Sequence, residues 1–426
     1  MQVTIEPGIV SGTIKAPQSK SMMQRVCAAA LLHKGKTIIH NPGHSDDDTT
    51  ALRIIQQLGA TIVSQTDDRI EIESKGIVPS NNSIDCGESG LSARLFIPVA
   101  CMHPGQVEIN GKGSLLKRTM ETFGTLLPAL GVQLADFNGY IPFKVKGPIQ
   151  VKDITISGAI SSQFLSGLLF VFAYNAKEPV TIHVPDLKSK PYIDLTIDVL
   201  RQFGKPIQHD NYERFYINPA LFKEPGTVEV TIEGDWSNAS YWLVAALTTG
   251  NVLIEGMNIN SLQADKKLLD LLKTSEAQIQ ETENSLQVSK SIIQGFEFDA
   301  TDCPDLFPAL SILAAKCNGE SYITGIHRLW HKESNRIESI TEMLHQFDIL
   351  YSIEDDALCI RGRSKFDYAT IDSYNDHRIV MAAAIGALHA KGPVTIMNAE
   401  AVNKSYPDFF KTLISLGIQC TITETI

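Results

Sequence analysis

Short β-prone runs and helix-period runs alternate along the chain at a fixed interval. The β-prone runs are Gly35-Lys-Thr-Ile-Ile-His, Gly105-Gln-Val-Glu-Ile-Asn, Glu178-Pro-Val-Thr-Ile-His, Gly250-Asn-Val-Leu-Ile-Glu, Gly319-Glu-Ser-Tyr-Ile-Thr and Gly392-Pro-Val-Thr-Ile-Met, spaced about seventy residues apart. A second register repeats at the same interval: an amphipathic helix running into a short strand, as in Leu52-Arg-Ile-Ile-Gln-Gln-Leu-Gly-Ala-Thr-Ile. Its turn falls at Gly59, Gly131, Gly204, Glu276, Asp348 and Gly417. Two registers that agree over the whole chain predict six copies of one βα unit.

Each unit also opens a small helix that is apolar all round and therefore belongs inside its domain. A polar residue sits near each start. Ser21, Ser92, Ser162, Ser237, Asp305 and Asp376 precede runs such as Cys27-Ala-Ala-Ala-Leu-Leu and Val380-Met-Ala-Ala-Ala, and are expected to cap these helices. Six ordinary caps account for them taken singly. Taken together, several helix N-termini at one rim present N–H donors and partial positive charge, which suits an anion.

A single solenoid of six units would need polar capping repeats, and neither end offers one. Two three-unit domains are expected instead, one over residues 16–233 and one made of 1–15 with 234–426. The candidate crossovers lie at Lys15-Ala-Pro-Gln-Ser and Glu233-Gly-Asp, and two connections suit a hinge. The first fourteen residues read as a strand pair returning to the C-terminal half.

Composition narrows the function classes. A net charge of −11 over 426 residues argues against a general nucleic-acid binder, whose footprint is basic. No apolar run reaches membrane-spanning length, and Met1-Gln-Val-Thr-Ile-Glu-Pro opens directly as strand-like alternation, so a cytoplasmic protein is expected. The seven cysteines are scattered without a Cys-x-x-Cys pair and read as small buried hydrophobes in a reducing compartment. Nothing demands an interface, and a monomer is the expectation.

Against that acidic balance, cations gather near the helix starts. Lys20 and Arg25 straddle one in Ser19-Lys-Ser-Met-Met-Gln-Arg; Arg94, Lys117-Arg118, Lys190, Lys332, Arg336, Arg378 and Lys404 flank others. Small polyanionic ligands would account for that crowding, although each cation alone is also what a solvated surface looks like. Asp305 and Glu333 add carboxylates able to move protons, or simply a cap and a loop charge. Ser161-Ser-Gln163 offers neutral donors and acceptors for a hydroxylated substrate, or a cap. There is no P-loop, dinucleotide motif, nucleophile elbow or metal-spaced histidine pair. The residues alone describe a two-domain enzyme acting on two small anionic substrates without metal or cofactor.

In this order, the clusters resemble the EPSP synthase family of enolpyruvyl transferases over essentially the whole chain. The resemblance rests on Ser19-Lys-Ser with Arg25, Ser161-Ser-Gln-Phe-Leu, Ser189-Lys-Pro-Tyr-Ile-Asp, Glu233-Gly-Asp-Trp-Ser, Pro304-Asp, Lys332-Glu-Ser-Asn-Arg, Tyr374-Asn-Asp-His-Arg and Lys404-Ser-Tyr-Pro-Asp-Phe-Phe. It implies an α/β fold of two inverse α/β-barrel-like domains, each of three βαβαββ units. It also implies transfer of the enolpyruvyl group of phosphoenolpyruvate to the 5-hydroxyl of shikimate 3-phosphate. On that resemblance Ser21, Arg25, Ser161, Ser162, Gln163, Ser189, Asp305 and Lys332 hold shikimate 3-phosphate. Lys20, Gly90, Arg118, Gln163, Arg336, Arg378 and Lys404 hold phosphoenolpyruvate. Asp305 takes the hydroxyl proton, and Glu333 with Lys20 protonates the methylene carbon.

The chain departs from the family pattern in the donor loop, Gly87-Glu-Ser-Gly-Leu-Ser-Ala-Arg-Leu95, where Glu88 replaces an amide and Leu91 and Leu95 replace Thr and Pro. Weakened inhibition by glyphosate, which shares that pocket in the family, is the expectation. Thr119 replaces a Pro, and Arg328 stands where an Asn is usual, either to add a phosphate contact or to point outward. The sister enzymes acting on UDP-N-acetylglucosamine, and a non-catalytic anion-binding relic, are the competing readings. The first usually carries a loop Cys that Gly111–Arg118 lacks, and the second has no use for carboxylates among its cations.

Overall fold

The computed structural model describes residues 1–330 and 332–424. Its contacts divide the chain into two compact units, one of Gln18–Glu233 and one of Met1–Pro17 with Gly234–Ile426. The fold is mixed α/β, with six separate four-stranded sheets among the described residues.

One repeat shows the logic of all six. Strand Ser83–Asp85 runs parallel to Gln106–Asn110, the β-prone run, across the helix Gly90–Ala100. Gln106–Asn110 then pairs antiparallel with Phe143–Lys146, which pairs antiparallel with Gln133–Ala135. A parallel pair needs a crossover helix, while an antiparallel pair closes with a short turn. Both are met within seventy residues by the order βαβαββ.

Three of the six repeats borrow a strand from elsewhere in the chain. Gly35–His40 takes Thr227–Thr231 as its parallel neighbour. Asn251–Glu255 takes Ser11–Lys15. Gln2–Ile5 lies between Val394–Met397 and Cys420–Thr423, antiparallel to both. The two N-terminal strands therefore do return to the C-terminal half. They are not paired with each other, because each completes a different sheet.

The all-apolar helices form the cores. Lys20–Leu32, Gly90–Ala100 and Ser162–Asn175 pack on one another in one unit, and Trp236–Thr249, Phe307–Lys316 and His377–Ala387 do so in the other. Phe164, Leu165, Phe170, Trp242, Leu310 and Met381 are wholly buried, each contributing about 1.5–3 kcal/mol by leaving water. The amphipathic helices, with one apolar face to bury, take the outer positions.

The helix starts differ from expectation in a systematic way. The capping oxygens belong to Ser19, Ser89, Ser161 and Asp235, each accepting from a backbone N–H two or three residues on. Ser21, Ser92, Ser162 and Ser237 lie inside the first turn. A cap must stand outside the helix for its side chain to reach back to the orphan N–H groups. Asp376 caps as expected, its Oδ1 accepting from the Arg378 N–H at 2.9 Å. Asp305 is no cap; it sits in a 3₁₀ turn, Pro304–Leu306, leading into its helix.

All six recurring turn positions adopt left-handed backbone. Gly59, Gly131, Gly204 and Gly417 have φ of +113°, +81°, +77° and +94°, and Glu276 and Asp348 have +55° and +57°. A side chain in that region costs about 1 kcal/mol. Asp348 is held by Arg363, whereas Glu276 is exposed. Glu276→Gly is expected to stabilise the protein by about 0.5–1 kcal/mol. Urea unfolding checks it: the midpoint rises at unchanged slope, and a fall would deny that strain is stored there.

Candidate functional site

In the unit containing Gly234–Ile426, six of the sequence-marked residues form one ion network. Asp305 Oδ1 accepts from Arg336 Nη1 at 2.8 Å and Lys332 Nζ at 3.1 Å, and Oδ2 accepts from Arg378 Nη2 at 2.9 Å. Arg336 is fully buried; it donates through Nη2 to Glu333 and through Nε to Asp376 Oδ2 at 2.9 Å. Asp376 also accepts from Ser334 Oγ at 3.1 Å. Lys404 lies one step away, donating to the carbonyl of Asn375 at 2.7 Å. Its neighbour Ser405 bonds Asn238 in the first turn of Trp236–Thr249, and Tyr241 of that helix donates to the Arg378 carbonyl at 3.2 Å. The starts of the buried helices are thus brought together by side-chain bonds.

Burial works against the Asp305 charge, but Arg378, Lys332 and Arg336 outweigh it and hold the carboxyl well below its usual range. Burial lowers the Lys332 ammonium, partly offset by Asp305. Arg336 is likewise opposed by burial, yet Asp376, Glu333 and Asp305 keep it firmly charged. Arg328 does not point outward: it is half-buried, lowered by that burial, and within electrostatic reach of Asp302 and Asp305.

Asp265 stands beside this network without belonging to it. It lies in the turn Ala264–Lys266, is 1 % exposed, and accepts the Ser237 hydroxyl through one oxygen; its other oxygen has no hydrogen-bond partner. Burial first, and then the Asp305 charge, push its carboxyl up to about 7. A carboxyl raised in the folded state binds its proton more tightly there than in the unfolded chain. Its contribution to stability is complete below the unfolded pKa near 3.8 and is lost as pH rises to about 7. Asp265→Asn escapes that loss. Its advantage over the native protein should grow between pH 4 and 7 to about 4 kcal/mol and then level off. Urea midpoints across that range test it, and a pH-independent difference would sink it.

The Gln18–Glu233 unit carries the other marked residues. Lys20 begins the buried helix and pairs with Asp47 at 3.0 Å. Arg25, 1 % exposed, donates Nε to Thr196 Oγ1 at 2.8 Å, Nη1 to the Ser21 carbonyl at 2.7 Å and Nη2 to the Tyr192 carbonyl at 3.2 Å. These partners are neutral, and burial draws its pKa down to about 10. A buried guanidinium braced by carbonyls and a hydroxyl retains a charge for an incoming anion to meet. Thr196 and Tyr192 sit on the helix Lys190–Gln202, whose start, Ser189, is left-handed and buried, so Ser21, Arg25 and Ser189 are brought into one neighbourhood.

Two further contacts join the helix starts of this unit. Gln163, in the first turn after the Ser161 cap, accepts Arg94 Nη1 at 2.9 Å. Arg94 also donates to the Thr119 carbonyl at 3.3 Å and lies over the Phe164 ring. Gly90 has Arg118 laid against it: a methyl there would meet Arg118 Cζ at 2.5 Å. Sequence reasoning missed Gln24, wholly buried, whose Oε1 accepts both Ser89 Oγ at 3.2 Å and Ser92 Oγ at 2.9 Å. It also missed Asp265 and Thr196. Asp376 was legible as a cap, and its motif neighbours His377 and Arg378 were the signal for more.

A sequence profile described as EPSP synthase (3-phosphoshikimate 1-carboxyvinyltransferase) matches residues 5–413. A 3-phosphoshikimate 1-carboxyvinyltransferase of Clostridium acetobutylicum is 35 % identical over 419 residues, covering 97 % of both chains. One from Clostridium novyi is 32 % identical over 424 residues, again covering 97 % of each. Among solved structures, an EPSP synthase from Acinetobacter baumannii superposes with a TM-score of 0.82 at 26 % identity, over 99 % of this chain and all of that one.

Proposed function

Because the chain belongs to the EPSP synthase family, we propose that its two residue sets carry out enolpyruvyl transfer from phosphoenolpyruvate to the 5-hydroxyl of shikimate 3-phosphate, a step of the shikimate pathway. In this reading Ser21, Arg25, Ser161, Ser162, Gln163, Ser189 and Lys332 hold shikimate 3-phosphate. Lys20, Gly90, Arg118, Gln163, Arg336, Arg378 and Lys404 hold phosphoenolpyruvate. Asp305 serves both as a ligand of the acceptor and as the base.

Asp305 removes the 5-hydroxyl proton as that oxygen attacks C2 of phosphoenolpyruvate. Glu333, with Lys20, delivers a proton to C3, and the sp³ intermediate forms with its charge met by the arginines. Loss of phosphate from C2 and of a proton from C3 then gives the enol ether, 5-enolpyruvylshikimate 3-phosphate. A cytoplasmic monomer is part of the same reading.

The observation that carries it is a carboxylate, Asp305, bonded simultaneously to Lys332, Arg336 and Arg378. Simple anion capture is weakened by a carboxylate among its cations, whereas acid–base chemistry on an anionic substrate has a use for one. Phosphate release from the purified protein tests it. Release should require both phosphoenolpyruvate and shikimate 3-phosphate, and UDP-N-acetylglucosamine should not replace the acceptor. Release with the nucleotide sugar, or none with shikimate 3-phosphate, would overturn the reading.

A further inference from the structure

Glu88 is the departure that looked least suited to an anion pocket. Its carboxylate, however, is turned onto the loop that follows the next strand. Glu88 Oε2 accepts both the backbone N–H and the hydroxyl of Ser114, each at 3.0 Å. The contact is intimate: Gly113 is left-handed at φ +56°, and a methyl there would lie 2.5 Å from that same oxygen. The Lys112 N–H also donates to the Gly87 carbonyl at 2.8 Å. The 3₁₀ turn Gly113–Lys117 is thereby tied to the start of the helix Gly90–Ala100. From the other side Leu115 is fully buried, and Arg118 donates its N–H to the Leu115 carbonyl at 3.1 Å. Arg118 then reaches back so that its guanidinium rests on Gly90. The two segments grip each other at both ends, Glu88 reaching forward and Arg118 reaching back.

We propose that Glu88 is a positioning residue of the phosphoenolpyruvate site, its carboxylate latching the Gly113–Lys117 turn so that Arg118 is held against Gly90 ready for the donor. The inference rests on the reading of Arg118 as a donor ligand. The N–H and O–H of Ser114 both bond the Glu88 carboxylate, which stabilises its charge on the turn. An Asn in its place is one methylene shorter, so the reach to Ser114 gives the longer acid a purpose.

Steady-state kinetics of Glu88→Ala, Glu88→Gln and Ser114→Ala, with hydrogen exchange over residues 113–118, test this. Losing a charge-assisted bond should raise the KM for phosphoenolpyruvate about tenfold in Glu88→Ala, with kcat and the KM for shikimate 3-phosphate within about twofold. Exchange at 113–118 should quicken by a similar factor. Glu88→Gln, which keeps an oxygen for both donors, should stay within about threefold of native, and Ser114→Ala, losing one bond of two, should fall between. A donor KM unchanged in Glu88→Ala overturns the latch. So does a loss spread equally over kcat and both KM values with a lowered melting point, which marks mere scaffolding. If the native protein shows no transfer, the functional reading fails instead, and unchanged exchange at 113–118 would still be the result that overturns the latch.

Discussion

Asp305→Asn should lose between about 10² and 10⁴ of kcat and yet bind phosphoenolpyruvate more tightly, by roughly tenfold. The two effects have one cause. The proposed base occupies Arg336 Nη1 and Arg378 Nη2, the same donors that phosphoenolpyruvate is proposed to use. Carboxylate and substrate compete for them, and the neutral amide withdraws from the competition. A carboxyl held far below its usual range by these cations is a weak base until an anion engages them. Donor binding should therefore raise its basicity at the point in the cycle where a base is wanted. The acid limb of kcat, which reports the substrate complex, should accordingly lie at higher pH than that of kcat/KM, which reports the free enzyme. Calorimetric titration with phosphoenolpyruvate checks the affinity. Weaker binding by the variant would mean that Asp305 orders the arginines rather than competing with the donor.

Arg336→Met should cost stability on the scale of a broken buried ion network, about 3–5 kcal/mol. Arg336 is fully buried and donates to Asp305, Glu333 and Asp376; methionine fills much of its volume but leaves three carboxylates without that partner. A fall in melting temperature of the order of 10 °C is expected for a unit of this size, together with loss of transfer activity. The sign of the pH dependence separates this from a packing defect. Asp305, losing one of the cations that hold its carboxyl low, gains a higher folded pKa, so the stability deficit is smallest in acid and grows as pH rises towards 8. Adding Asp376→Asn should recover part of the loss, because it removes one of the stranded charges. A deficit equal at pH 5 and pH 8 would point to cavity formation instead.

Much of this was legible in the chain before any coordinates. The six repeats, the turns at Gly59, Gly131, Gly204, Glu276, Asp348 and Gly417, and the burial of the all-apolar helices follow from periodicity, which reports local backbone state and which face leaves water. The family motifs marked the residues that the ion network gathers around Asp305. Tertiary structure decided who meets whom. Ser11–Lys15 and Gln2–Ile5 look alike as strands, and only long-range register sends them to separate sheets. Ser19 and Ser21 are both serines at a helix start, and only the point at which the backbone turns helical, after Ser19, makes the first the cap. Glu88 reads as a misplaced charge until its oxygen is seen on Ser114, and Asp265 carries no local signal because its raised pKa comes from burial and from Asp305, forty residues away in sequence. Local pattern determines the elements of this protein; the partners of its charged side chains depend on contacts between distant segments that no local pattern encodes.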